Sequence, residues 1–259
     1  NWLKIFHNFI YEEVKRKPTA TGRIKEQRTQ IFPRFHQWDC VTKCIEDVKT
    51  NGVGQRYLIE HSAGSGKTST ISWISHELIR LMDNSGNRLF SSVIVVTDRT
   101  VLDSNIKATI KQLKKTTGLI EMIGGDEKTK TSGAKSKALA KALKEKREII
   151  VVTLQTFPYA LEAISSDENL TGCNFAVLID EAHSAQGGNY SAKMKAALKL
   201  ANKEKKKNKD TSTPTDEDVI NAYFKEQQAN RVMPSNVSFF AFTATPKSET
   251  KTLFGRPGT

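Results

Sequence analysis

Cysteine is scarce in this 259-residue sequence: Cys40, Cys44 and Cys173 are the three present, odd in number and too few for a disulfide framework. That points to a reducing interior, with the cytoplasm as the expected location. No run of about 18 apolar residues occurs, so no membrane span is expected. The first residues, "NWLKIFHNFIYEEVKRK", carry acids and lack a small-residue cleavage site, which argues against a signal peptide. Acidic side chains are outnumbered: 28 Asp and Glu stand against 40 Lys and Arg, for a net charge of +12. The excess is local. Residues 101–150 hold 12 basic against 6 acidic side chains, and residues 191–210 hold 8 against 2. Two basic stretches of this kind suit a polyanion surface, although a solvated basic helix would look the same.

Five apolar stretches stand out: "RYLIEH" (56–61), "SVIVVT" (92–97), "EIIVVT" (148–153), "FAVLID" (175–180) and "VSFFAFT" (237–243). Each is short, β-branched or aromatic, and continuous instead of alternating, as strands buried on both faces of a parallel sheet are. Helical periodicity lies between them. Residues 68–82 place Ile71, Ile74, Leu78, Leu81 and Met82 on one face, and residues 135–147 turn Leu139, Ala142 and Leu143 inward. The alternation predicts an α/β fold over residues 35–259, with a mostly parallel sheet flanked by helices in three layers. Residues 1–34 read as an amphipathic helix and a polar linker. Residues 202–218, "NKEKKKNKDTSTPTDED", read as a flexible surface insertion.

The stretch "EHSAGSGKT" (60–68) nearly fits the phosphate-loop pattern G-x-x-x-x-G-K-[ST], but His61 stands where the first glycine belongs. It follows a predicted strand and opens a predicted helix, the context that the motif requires. Glycines let backbone N–H groups close on phosphate oxygens, and the helix N-terminus adds partial positive charge. Ala63, Gly64, Ser65, Gly66, Lys67 and Thr68 are the expected cradle. Lys67 would reach the β/γ-phosphates, and the Thr68 hydroxyl would ligate Mg²⁺. A second element supports the reading. "FAVLIDEAH" ends a hydrophobic strand in carboxylates, which are costly there unless they serve a cation. Asp180 would hold the Mg²⁺ of ATP, and Glu181 would orient and activate the attacking water.

With "DEAH" and the later "FTATP", the chain resembles superfamily 2 helicases and translocases. "HSAGSGKT", "VIVVTDRTVLD", "VVTLQTF", "IDEAHSAQGG" and "FFAFTATP" together resemble the motor of type I restriction–modification R subunits, where a histidine is common at the His61 position. The resemblance implies the first of two RecA-like lobes and the binding and hydrolysis of ATP with Mg²⁺. It also implies a DNA translocase moving double-stranded DNA before cleavage, with modification and specificity subunits as partners. The second lobe, with its arginine for the γ-phosphate, and the upstream nuclease domain are expected to be missing from these residues, which alone would be a poor ATPase. By the same resemblance Gln37 in "RFHQWD" recognises adenine, with Phe35 beside it. Thr97, Asp98 and Arg99 would meet the nucleic-acid backbone. His183, Thr243 and Thr245 would couple nucleotide state to the second lobe.

Two alternatives stand beside this reading: a superfamily 2 helicase acting on DNA or RNA, and a nucleic-acid-binding module with a vestigial nucleotide site. Lys67, Thr68, Asp180 and Glu181 are all intact, which argues against the second. Smaller signals have plain readings. His36, Cys40 and Cys44 recur every four residues on one helix face, as a packed face or an incomplete metal site. Gln155 is a nucleic-acid contact or a strand-end cap. The lysines of 203–209 are a solvated loop before they are a DNA contact.

Overall fold

A computed structural model of the chain describes residues 2–18, 24–62, 64–97, 108–110, 120–123, 132–154, 156–180, 216–229 and 234–255. The expected strands form within a residue of their predicted limits. They are β3 (Arg56–Glu60), β4 (Ser92–Thr97), β6 (Ile149–Thr153), β7 (Phe175–Asp180) and β8 (Val237–Thr243), joined by the short β5 (Ile120–Ile123). All six pair in parallel, in the order β3-β8-β7-β4-β6-β5. The fold is α/β, as the alternation predicts.

Helices cover both faces. On one lie α2 (Phe35–Asn51) and α3 (Lys67–Arg80); on the other lie α4 (Ser132–Lys144), α5 (Phe157–Ser166), α7 (Asp216–Ala229) and α8 (Ser248–Phe254). The four-residue α6 (Glu168–Thr171) leads into β7. Strand side chains alternate between the layers. Val93, Val95, Phe240 and Phe242 pack with α2 and α3, whereas Ile94, Val96, Phe239 and Ala241 pack with the opposite helices. The central strands β4, β7 and β8 are therefore apolar toward both layers, with Ser92, Thr97, Asp180, Ser238 and Thr243 as their polar residues, which is why the sequence shows near-continuous runs. Leu139, Ala142 and Leu143 are fully buried, as expected.

Three expectations need correction. Met82 does not face inward but is 51% exposed. The helix stops at Arg80, and Leu81 adopts an extended conformation that turns the chain away after one more buried side chain. The polar linker expected within residues 1–34 is instead strand: after α1 (Trp2–Asn8), β1 (Tyr11–Pro18) pairs antiparallel with β2 (Ile24–Ile31). Phe9 and Tyr11 at its base are buried against Trp73 of α3, whose indole Nε1 donates to the Phe9 carbonyl at 2.9 Å. Of the expected insertion 202–218, residues 216–218 belong to α7, and the rest lies outside the described residues.

Candidate nucleotide site at the carboxyl edge of the sheet

The parallel register brings the sequence motifs to one edge. Glu60 at the end of β3 pairs with Thr243, and the N–H of His61 continues the ladder to the Thr243 carbonyl at 2.8 Å. Asp180 ends β7 opposite Phe242 of β8, one residue beyond the pairing of Ile179 with Val96. Thr97 then ends β4 opposite Thr153 of β6. The phosphate-loop strand and the strands ending in Thr97, Asp180 and Thr243 thus finish side by side. In open parallel sheets this carboxyl edge is where ligands bind.

The loop after β3 closes on itself through side chains. His61 is buried, and its Nδ1 lies 2.7 Å from the Ser65 hydroxyl. The Ser65 N–H reaches the Ser62 carbonyl at 3.2 Å. Gly64 and Gly66 both have positive φ, 74° and 87°, and Gly66 caps α3 in the left-handed region. A side chain at Gly66 would be strained and would meet Gln37 Nε2 at 2.5 Å. Lys67 and Thr68, both half-buried, form the first turn of α3, whose leading N–H groups have no intrahelical acceptors. A Cβ on Gly64 would meet nothing within 4 Å, so space remains beside the loop. Orphan helix donors, flexible glycines and a lysine in one turn fit a phosphate chain, and the carboxylate of Asp180 on the same edge fits its cation.

His61 therefore does more than replace a glycine. It stands at the strand end, where the backbone continues the sheet ladder and no left-handed conformation is needed, and its ring braces the loop from beneath. Sequence reasoning named His61 only as a family marker; its bond to Ser65, four residues on, had no sequence signal.

Gln37, the residue expected to recognise adenine, is held by contacts within the protein. It is buried in the first turn of α2, with Oε1 accepting from Arg34 N–H at 2.8 Å. Its amide nitrogen donates to the Ser65 and Gly66 carbonyls at 3.2 and 3.1 Å. His36 Nε2 donates to the same Ser65 carbonyl at 3.2 Å, which fixes a proton on that nitrogen. The "FHQ" turn thus grips the loop. Phe35 is 77% exposed beside it.

Thr243 is buried, and its hydroxyl accepts from Thr245 N–H at 3.3 Å, tying the "TAT" segment to the end of β8. Thr97 is fully buried within the sheet. Ala63, Asp98, Arg99, Gln155, Glu181 and His183 lie outside the described residues. Among those described, no group of three His, Cys, Asp or Glu side chains is placed to hold a metal ion. No described helix is long and apolar enough to cross a membrane. A cleft of about 510 Å³ lies against β3 between α2 and α8, lined by Lys43, Asp47, Arg56, Glu60 and Phe254. It holds none of the residues of the expected phosphate cradle, and the chemistry of the loop outweighs its size.

The model of the SWI2/SNF2 ATPase family matches residues 36–203, from the first turn of α2 through the phosphate loop and the "DEAH" strand. The chain belongs to the SWI2/SNF2 ATPase family. Membership implies nucleotide use, in keeping with the loop geometry. No curated protein matches the chain. Among solved structures, this ATPase is similar to a fragment described as an HsdR subunit of a type I restriction enzyme from Vibrio vulnificus YJ016. The two share 18% identity over 87% of this chain and 29% of that one, with a TM-score of 0.45. It is also similar to a nuclease-deletion mutant of the Type ISP restriction–modification enzyme LlaGI bound to a DNA substrate mimic. There the identity is 16%, over 84% of this chain and 18% of that one, with a TM-score of 0.48. The SWI2/SNF2 ATPase core of Sulfolobus solfataricus in complex with double-stranded DNA shares 16% identity over 86% of this chain and 36% of that one, with a TM-score of 0.42. The chain thus spans between 18% and 36% of the length of these three solved chains.

Proposed function

We propose that this SWI2/SNF2 ATPase binds Mg·ATP at the loop of residues 61–68 and acts as one motor lobe of a double-stranded DNA translocase of the type I restriction R-subunit kind. The observation that carries the reading is the alignment of the phosphate-loop strand with Thr97, Asp180 and Thr243 along one sheet edge. Lys67 and the N–H groups opening α3 would hold the phosphates, with Ala63, Gly64, Ser65 and Gly66 shaping the loop around them. Thr68 and Asp180 would hold Mg²⁺, which neutralises phosphate charge when bound. Glu181 would orient the attacking water, and His183, Thr243 and Thr245 would pass the nucleotide state to a second lobe. Gln37 would reach adenine only by exchanging its bonds to the loop carbonyls, which would link base recognition to loop shape.

DNA would run past the same edge, near Asp98, Arg99 and the basic segment 101–150. A translocase holds the backbone without reading bases, so affinity should come from phosphate neutralisation. A salt titration on two unrelated duplexes tests this. The expected slope is about −0.9 log units per log salt for each phosphate contacted, equal for both duplexes and shallower by about one contact in Arg99→Ala. A salt-insensitive complex, or a strong preference for one duplex, would replace the motor with a sequence-reading module.

A further inference from the structure

The nucleotide site makes no use of the β1–β2 ribbon. Its two eight-residue strands pair with each other and with no third strand. A ribbon of two strands alone is marginally stable in water, and this one is anchored at one end. Phe9 and Tyr11 are buried against Trp73, and the Tyr11 hydroxyl lies 3.4 Å from that of Ser69 in the first turn of α3. The anchor therefore sits on the helix that the phosphate loop opens. Beyond it, residues 25–30 are all exposed. Charge is sorted along the ribbon. Arg28 lies 3.5 Å from both Glu12 and Glu26. Residues 15–25, in contrast, hold five basic residues (Lys15, Arg16, Lys17, Arg23 and Lys25) and no acidic one. The register sets Lys17 opposite Lys25 and Lys15 opposite Gln27, which places three lysines on one face, away from the anchor. Like charges directly opposite each other destabilise a strand pair. The pattern weakens a ribbon in water and strengthens one held against a polyanion.

We infer that the β1–β2 ribbon is a DNA-contacting arm, which lies against the phosphate backbone of a duplex through the face bearing Lys15, Lys17 and Lys25. A two-stranded ribbon is narrow enough to enter the major groove, about 12 Å wide. Lysines on phosphates position a protein on the duplex without reading its bases. The arm involves none of Asp98, Arg99 or residues 101–150, so it adds a second surface to the one proposed along the sheet edge. Its root on α3 joins it to the helix that would answer to bound nucleotide. The inference rests on duplex DNA as the partner and not on the nucleotide site.

The test is a salt titration of the whole chain on a mixed-sequence duplex, with the parent and a Lys17→Gln, Lys25→Gln double variant. Lys43→Gln with Lys49→Gln on α2 removes the same net charge elsewhere and is the control. The ribbon variant should have a salt slope shallower than the parent's by about two contacts, or about 1.8 log units per log salt. Its affinity at low salt should be at least about tenfold lower, while the control stays close to the parent. Thermal unfolding separates contact from fold. Relieving two opposed lysines should leave the melting temperature equal or higher, and Lys15→Gln, which relieves no such pair, should remove about one contact. A ribbon variant that matches the parent in slope, or loses no more than the control, would overturn the inference alone. So would a loss of binding that tracks a lowered melting temperature. A parent that binds no duplex would overturn it together with the DNA reading it rests on.

Discussion

The amide nitrogen of Gln37 lies 3.1 Å from the carbonyl oxygen of Gly66, the residue that caps α3 in a left-handed conformation. One side chain from α2 thereby fixes the backbone geometry that aims the N-terminus of α3 along the sheet edge. Gln37 spans two elements, since its oxygen also holds the N–H of Arg34 at the start of α2.

Replacing Gln37 by Ala should remove the side-chain acceptor of the Arg34 N–H and one donor to each of the Ser65 and Gly66 carbonyls, which keep His36 and the first N–H groups of α3. Each lost hydrogen bond is worth about 0.5–1.5 kcal/mol. ATP affinity should fall by about one to two decades, and any preference for ATP over GTP should vanish. Calorimetric titration with both nucleotides reads this; unchanged affinities would detach Gln37 from the site.

Gly66→Ala should be worse for the loop than Gly64→Ala. Both have positive φ, but a Cβ at Gly66 also runs into Gln37, while one at Gly64 meets open space. The left-handed strain alone costs about 1–3 kcal/mol. Thermal unfolding of the two variants should separate them, with Gly66→Ala the less stable; equal melting points would mean that the Gln37 contact is not tight.

Trp73→Phe tests the docking of the N-terminal segment. It removes the bond from Nε1 to the Phe9 carbonyl but keeps the ring packing. The expected loss is about 1–3 kcal/mol in denaturant unfolding, with faster proteolysis near β1 and β2. Phe240→Ala is the comparison inside the sheet. Phe240 is fully buried and stacks on Tyr57 at 4.5 Å, so its truncation should cost about 3–5 kcal/mol. A Trp73→Phe variant with full stability and unchanged cleavage would leave the segment undocked.

The sheet was legible because its central strands are buried on both faces, which leaves uninterrupted runs such as "SVIVVT" in the sequence. β5 escaped because four residues, "IEMI", are too short to separate from a helical segment by periodicity. β1 and β2 escaped for the opposite reason. Glu12, Glu13, Lys25, Glu26 and Arg28 make the ribbon polar on both faces, so no apolar alternation marks it. At the site, residue types and order pointed to Lys67, Thr68 and Asp180, and the register then brought Thr97, Asp180 and Thr243 to one edge. The grip of Gln37 and His36 on the loop was not legible, because contacts across about 28 residues leave no local pattern.

The most direct measurement is a calorimetric titration of Mg·ATP into the parent chain and Lys67→Ala. Lys67 opens α3 at the capped glycine, and no other lysine occupies that turn. The loss of a charged hydrogen-bond donor to phosphate is worth about 1.5–3 kcal/mol, or roughly one to two decades in affinity. The account predicts saturable binding by the parent, weakened by at least that factor in Lys67→Ala and dependent on Mg²⁺ through Asp180. Superimposable titration curves for the two proteins would contradict it.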